Sequence, residues 1–130
     1  MSRILALDHG QVRTGVAVSD ESGTLATPLG VIDHVESKPG REALLRLIAE
    51  QRPARIVVGL PVSLDGREHA QAGRARAFAR RLAASIDIPV DLYDERYTSA
   101  LADRRGGRAA RDARAAATLL EDYLRTMSDE

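Results

Sequence analysis

Hydrophobic residues fall along this chain in two rhythms, and the change from one to the other sets the expected architecture. Ile4 to Leu7 is an unbroken apolar run that ends on Asp8, Thr14 to Ser19 is a second run, and Leu25 to Asp33 continues the pattern after the turn Glu21-Ser22-Gly23. Short apolar runs bounded by turn residues read as strands, with Ile4 to Asp8 as the first. Three of them joined by short turns predict an antiparallel meander. Beyond Asp33 the spacing becomes helical. Leu44, Leu45, Leu47 and Ile48 recur at helical intervals within 41–51, and Arg55 to Leu60 is another apolar strand, closed by Pro61. The segment 66–85 reads as a long helix with Ala70, Gly73, Ala77, Phe78 and Leu82 along one side. Ile88 to Tyr93 reads as the last strand, Thr98 as the cap of a short helix through Ala102, and 111–124 as the closing helix, after an Arg104 to Arg108 hinge. Three strands followed by strand-helix crossovers predict an α/β fold: a mixed five-stranded sheet, antiparallel meander first and parallel strands after, flanked by helices on both faces. In such sheets chemistry gathers at the carboxyl ends of the parallel strands.

That expectation turns attention to the acids. A strand buried on both faces should end at the rim of a covered sheet, where a carboxylate such as Asp8 is costly unless something binds it. One reading is that Asp8 bonds the amides of the turn His9 to Gly15. Asp94 and Glu95 end the last strand in the same manner. On the closing helix, Ala115, Ala116, Leu119 and Tyr123 form an apolar stripe, and Asp112 falls on that face one turn before Ala116, whereas Glu121 and Asp122 fall away from it as solvated residues. Asp112 also has a plain reading, as an acid favoured near a helix N-terminus. Taken together, acids at two strand ends and one on the inner edge of the last helix repel one another unless a cation bridges them. Hard divalent ions prefer oxygen ligands, Mg²⁺ leaves room for phosphate, and an ion pair between acids is an apparatus for in-line attack on a phosphodiester.

Composition narrows the partners. The chain has 130 residues, 44% of them hydrophobic, which suits one domain spanning 1–130. It has no cysteine, no 18-residue apolar stretch and no leader-like segment, so a cytoplasmic protein with no membrane partner is expected. One Phe, three Tyr and no Trp argue against gripping single strands on an aromatic platform. Net charge is zero, yet residues 66–114 hold eleven Arg against seven acids, while 1–65 sum to −1 and 115–130 to −3. Of the nineteen basic residues, Lys38 alone is lysine, and arginine is the better bidentate phosphate ligand. This basic stretch is either a nucleic-acid face or an ordinary solvated helix surface. His9 and His69 read either as neighbours of a scissile phosphate or, the commoner case on a loop, as solvated surface histidines. Gly10 and Gly15 serve turn geometry and close packing, and Gly59-Leu60-Pro61 shapes the same sheet edge.

Five blocks in order, D-H-G-x-x-R-x-G-V-A-V-S-D from Asp8, V-V-G-L-P-x-x-x-D-G at Val57 to Gly66, R-x-F-A at Arg76 to Ala79, D-E-R-Y-T at Asp94 to Thr98 and D-x-x-A-A-x-x-L-L-x-D-Y-L at Asp112 to Leu124, resemble the YqgF/RuvX family. The resemblance spans nearly the whole chain. It implies an RNase H-like fold and a metal-dependent nuclease, described for the family as a pre-16S ribosomal RNA nuclease or a Holliday-junction resolvase. It implies Asp8, Glu95 and Asp112 as the catalytic acids that bind Mg²⁺ or Mn²⁺. It also places Arg13, Arg96 and Thr98 as polar, substrate-binding neighbours, and the basic Arg104, Arg105 and Arg108 join them as the phosphate grip. Two departures bear on substrate choice. The segment before the last acid is short, ALADRRGGRAAR, without the family's lysine-rich run, and Ser63 stands where Asn is common. The expected partner is nucleic acid, RNA ahead of DNA, with a ribosomal precursor particle in view and the chain a monomer or weak homodimer. Two rivals are weighed. Phosphate binding in the manner of sugar kinases and actin calls for two domains closing on ATP, more than 130 residues hold; a non-cutting ribosome-assembly module would use the same sheet as a scaffold.

Overall fold

An apolar run stays in a strand when both faces are covered, and Leu5, Ala6 and Leu7 are all 0% exposed. The computed structural model describes residues 2–61, 70–94 and 108–128. Its elements are β1 (Ile4–Asp8), β2 (Arg13–Ser19), β3 (Ala26–Asp33), α1 (Lys38–Gln51), β4 (Arg55–Leu60), α2 (Ala70–Ser85), β5 (Val90–Asp94) and α3 (Arg108–Ser128). The strands form one sheet in the order β3-β2-β1-β4-β5. β1 pairs antiparallel with β2, and β2 with β3; β1 pairs parallel with β4, and β4 with β5. This is the mixed five-stranded sheet that the change of rhythm predicts.

Period-two alternation divides the strands between two cores. Leu5 and Leu7 of β1 join Ile56 and Val58 of β4 beneath α1 and α2, packing with Leu44, Ile48, Phe78 and Leu82. Ile4, Ala6, Ala17 and Val57 face the other way, onto Ala116, Ala117, Leu119, Leu120, Tyr123 and Leu124 of α3. The two layers differ in side-chain size. Alanines at Ala6, Ala17, Ala116 and Ala117 make the α3 layer thin, so α3 lies close against the sheet.

Several boundaries and one face differ from the sequence expectation. α1 starts at Lys38, three residues early, because the Ser37 side chain caps it by accepting from the Gly40 amide at 3.1 Å, with Pro39 in its first turn. β5 begins at Val90 instead of Ile88 and runs on to Asp94, and α3 extends beyond 111–124 at both ends. The buried face of α2 is Ala72, Ala75, Phe78, Ala79 and Leu82, while Ala70 and Gly73 are exposed and Ala77 is half-buried. Phe78 and Leu82 are its sole large apolar side chains, and the alanines around them fit more than one stripe. Residues 66–69 of the expected helix, the short helix from Thr98 to Ala102, and the hinge positions Arg104 to 107 lie outside the described residues.

The thin layer sets an expected outcome. Ala6→Leu adds volume where β1 meets α3, and overpacking of this kind costs about 1–3 kcal/mol. Urea unfolding should show a lower midpoint with an unchanged slope. An unaltered midpoint would mean that α3 has slack against the sheet.

Candidate active site at the carboxyl edge of the sheet

Asp8 is the last residue of β1, and alternation after Ile4 and Ala6 puts it on the α3 face of the sheet. Directly across the strand pair stands Gly15 of β2. Gly15 in turn lies against α3 at Asp112: a Cβ on Gly15 would stand 2.0 Å from the Asp112 carbonyl oxygen and 2.6 Å from its carbon. Asp112 is thus brought to the strand position facing Asp8. Two residues back along β2, and on the same face as Gly15, Arg13 donates through Nε to Asp112 Oδ2 at 2.9 Å. The two side chains are 28% and 31% exposed. Asp8 and Arg13, from adjoining strands, and Asp112, from the far end of the chain, therefore gather around one glycine.

Close approach is the reason for both glycines here. Gly10 closes the turn between β1 and β2, where a Cβ would come within 2.3 Å of the Arg13 carbonyl oxygen. Positive φ belongs instead to Gly23 and Gly30.

The acids of β5 separate by face. Tyr123 Oη of α3 donates to Asp91 at 3.0 Å, and the Tyr93 ring meets the Tyr123 ring edge-on at 5.7 Å, so odd-numbered positions of β5 face α3. Val90 packs on the opposite core. Alternation therefore assigns Asp94, paired with Leu60 at the end of β5, to the α1 and α2 side, away from the face of Asp8 and Asp112. Its strand is also two spacings, about 10 Å, from β1. Glu95, Arg96, Thr98, Arg104 and Arg105 lie outside the described residues, as do Ser63 and His69, and Arg108 is the first residue of α3, one turn before Asp112.

His9 is a correction. It is 5% exposed, not solvated, with its ring stacked on Phe78 of α2 at 4.6 Å and Nε2 3.7 Å from Glu36 Oε2. Glu36 is itself bonded by Arg81. Burial pulls the imidazole below its ordinary pKa, and the opposing pull of Glu36 does not reverse this. The signal was present in the alternation: the residue after Asp8 must turn to the face of Leu5 and Leu7. His9 thereby ties the turn that follows Asp8 to the core beneath α2. Asp122, expected to be fully solvated, has a side chain only 17% exposed and accepts from Arg125.

The site offers two carboxylates as hard oxygen donors at a strand end and a helix edge, with a guanidinium already on one of them. Such a set suits a divalent cation of the Mg²⁺ type, and the guanidinium shows that Asp112 attracts positive charge. Among the described residues, no group of three or more His, Cys, Asp or Glu gathers.

Comparison with known proteins gives the family and the fold. Residues 2–126 match the family model described as RuvX, Holliday junction resolvase. The chain belongs to the RuvX family. A Paraburkholderia xenovorans protein named "Putative pre-16S rRNA nuclease" is 38% identical, covering 98% of this chain and 90% of its own length. A Chromobacterium violaceum protein of the same name is 43% identical over 77% of this chain and 73% of its own. Among solved structures, Thermus thermophilus RuvC in complex with a Holliday junction substrate superposes with a TM-score of 0.59 at 17% identity, covering 97% of this chain and 96% of that one. At that identity the likeness concerns the fold, an RNase H-like one, as the sequence motifs implied. Among the described residues, no helix of this RuvX family member is long and apolar enough to cross a membrane.

The contact at Gly15 gives the second expected outcome. Gly15→Ala drives a methyl into the Asp112 backbone, which must shift, and it should destabilise the protein by about 1–3 kcal/mol. Gly10→Ala probes the turn without touching α3. Urea melts of both variants, read with a cleavage assay, check this: Gly15→Ala should lose activity even under conditions where it is fully folded, because the carbonyl it displaces belongs to Asp112.

Proposed function

We propose that this RuvX family member is a metal-dependent nuclease that hydrolyses phosphodiester bonds in RNA, acting in 5′ maturation of pre-16S ribosomal RNA in the cytoplasm. The observation that carries the reading is the convergence of Asp8 and Asp112 across Gly15 on one face of the sheet edge. Asp8, Asp112 and, by the resemblance, Glu95 hold one or two divalent ions, Mg²⁺ or Mn²⁺. When bound, such an ion activates a water and neutralises charge on the phosphate. The chain's own residues do the positioning. β1 presents Asp8 from a strand buried on both sides, Gly15 seats the backbone of Asp112, and the buried His9 anchors the turn between them. Arg13, Arg96 and Thr98 contact the nucleic acid beside the acids, and Arg104, Arg105 and Arg108 grip its phosphates.

RNA is preferred to DNA because relatives 38% and 43% identical carry the pre-16S rRNA name. A second reading, resolution of four-way DNA junctions, is favoured by the family model's description. That reaction needs two cuts placed by a symmetric pair of subunits. A monomer or weak homodimer working on RNA, free or in a ribosomal precursor particle, needs no such pairing.

The decisive experiment offers matched precursor RNA, single-stranded DNA and four-way junctions to the protein with Mn²⁺ or Mg²⁺, with Asp8→Asn and Asp112→Asn alongside. RNA should be cut, and each variant should lose roughly a hundredfold or more in kcat, beyond the 10–100-fold typical of mere supporting groups. Each should also lose the rise in melting temperature that Mn²⁺ gives the wild type. Junction cutting without RNA cutting would favour the resolvase reading. Retained cutting by Asp8→Asn would return Asp8 to a structural turn role.

The basic segment has its own test. Replacing Arg104, Arg105 and Arg108 together should weaken nucleic-acid affinity at low salt without moving the cut position, since phosphate contacts hold register but carry no sequence. Fluorescence anisotropy across a salt series should show the difference shrinking as salt rises. Equal affinity at low salt would make these arginines ordinary solvated residues.

A further inference from the structure

Arg13 and Gly15 hold the two halves of Asp112: the glycine admits its backbone carbonyl, and the guanidinium takes its carboxylate. We infer that Arg13 is a place-holder for the metal ion, occupying the Asp112 carboxylate until a divalent ion enters and being released to the nucleic-acid phosphate when it does. The inference rests on the reading that Asp112 binds that ion.

Three features support exchange over a permanent bond. The contact is single, Nε to Oδ2 at 2.9 Å, although a guanidinium can make two parallel bonds to a carboxylate. Both side chains are partly exposed, at 28% and 31%, the regime in which ion pairs are weak and readily exchanged. A dication placed on a carboxylate beside a fixed guanidinium is repelled by it, so the two cations compete. Arg13 is also the first residue of β2, so its released guanidinium remains at the edge where Asp8 ends. Linkage makes the coupling reciprocal: metal entry frees Arg13 for a phosphate, and a phosphate that draws Arg13 away favours metal entry by the same factor.

The competing arrangement keeps Arg13 on Oδ2 to steady the carboxylate while the ion binds beside it. Removing such a supporting group weakens metal binding, typically 10–100-fold, whereas removing a place-holder tightens it. The sign separates them.

The test is a titration of Mn²⁺ into nucleic-acid-free protein, followed by the paramagnetic resonance signal of unbound Mn²⁺. It compares wild type, Arg13→Gln, Arg13→Lys, Arg111→Gln and Asp112→Asn, with each protein's melting temperature in EDTA confirming that it is folded. Arg13→Gln should bind Mn²⁺ about two- to fivefold more tightly, the scale of an exposed ion pair, with Arg13→Lys between it and wild type. Arg111→Gln removes a like charge beside Asp112 on α3 and should change affinity less. Weaker or unchanged binding by Arg13→Gln overturns the inference, as does equal tightening by Arg111→Gln, which would reduce the effect to general repulsion. Wild-type affinity in Asp112→Asn would instead overturn the metal role of Asp112 itself, while weakened binding there together with unchanged Arg13→Gln would leave that role standing and remove the place-holder alone.

Discussion

The candidate site depends on a missing side chain. Gly15 of β2 lets the backbone of α3 come so near that a Cβ would stand 2.0 Å from the Asp112 carbonyl oxygen. Because Gly15 is also the strand partner of Asp8, this one contact places a helix acid beside a strand acid. The alanines below it, Ala6, Ala17, Ala116 and Ala117, leave room for that approach. Larger residues in that layer would lift the helix and separate the acids before any core contact was lost.

The two faces of the sheet divide the labour. Beneath α1 and α2 lie Leu5, Leu7, Ile56, Val58, Leu44, Phe78 and Leu82, each contributing about 1.5–3 kcal/mol on burial, and Leu119, Leu120 and Tyr123 of α3 add to this from the other face. The α3 face carries the acids of the site. His9 joins the two sides: it follows Asp8 in sequence, yet its ring belongs to the bulky core, stacked on Phe78. His9 lies just past the end of β1, yet it keeps the alternation of the strand, in which neighbours face opposite ways. The strand end is thereby fixed from below by an aromatic contact and offered above as a carboxylate.

Much of this was legible in the sequence where one periodicity was strong. β1 and β4 match their apolar runs residue for residue, and the change from short turns to helical spacing announced the mixed sheet. Asp112 could be singled out because it falls on the face of an apolar stripe, one turn before it begins. Legibility failed where the pattern was degenerate or the contact non-local. On α2, alanines at nearly every angle left Phe78 and Leu82 too few to choose a face. The start of α1 turned on a single hydroxyl, Ser37. That Arg13 reaches Asp112, 99 residues away, is recorded in no local spacing. Gly15 did leave a trace, since a glycine inside an apolar strand marks a close backbone approach, but the trace does not say which element approaches.

Electrostatics explains why the acids are held by geometry of this kind. Carboxylates converging on one edge raise each other's energy, so folding alone would drive them apart. Rigid backbone contacts oppose that: Asp8 is fixed by its buried strand, and Asp112 by the seat at Gly15, neither of which depends on charge. Arg13 relieves part of the repulsion through a single partly exposed bond, a contact strong enough to neutralise Asp112 and weak enough to yield. A fully buried, doubly bonded pair would have left the carboxylate inaccessible from solvent. The strength of the site lies in its backbone, and its adjustable part is one arginine side chain at the edge.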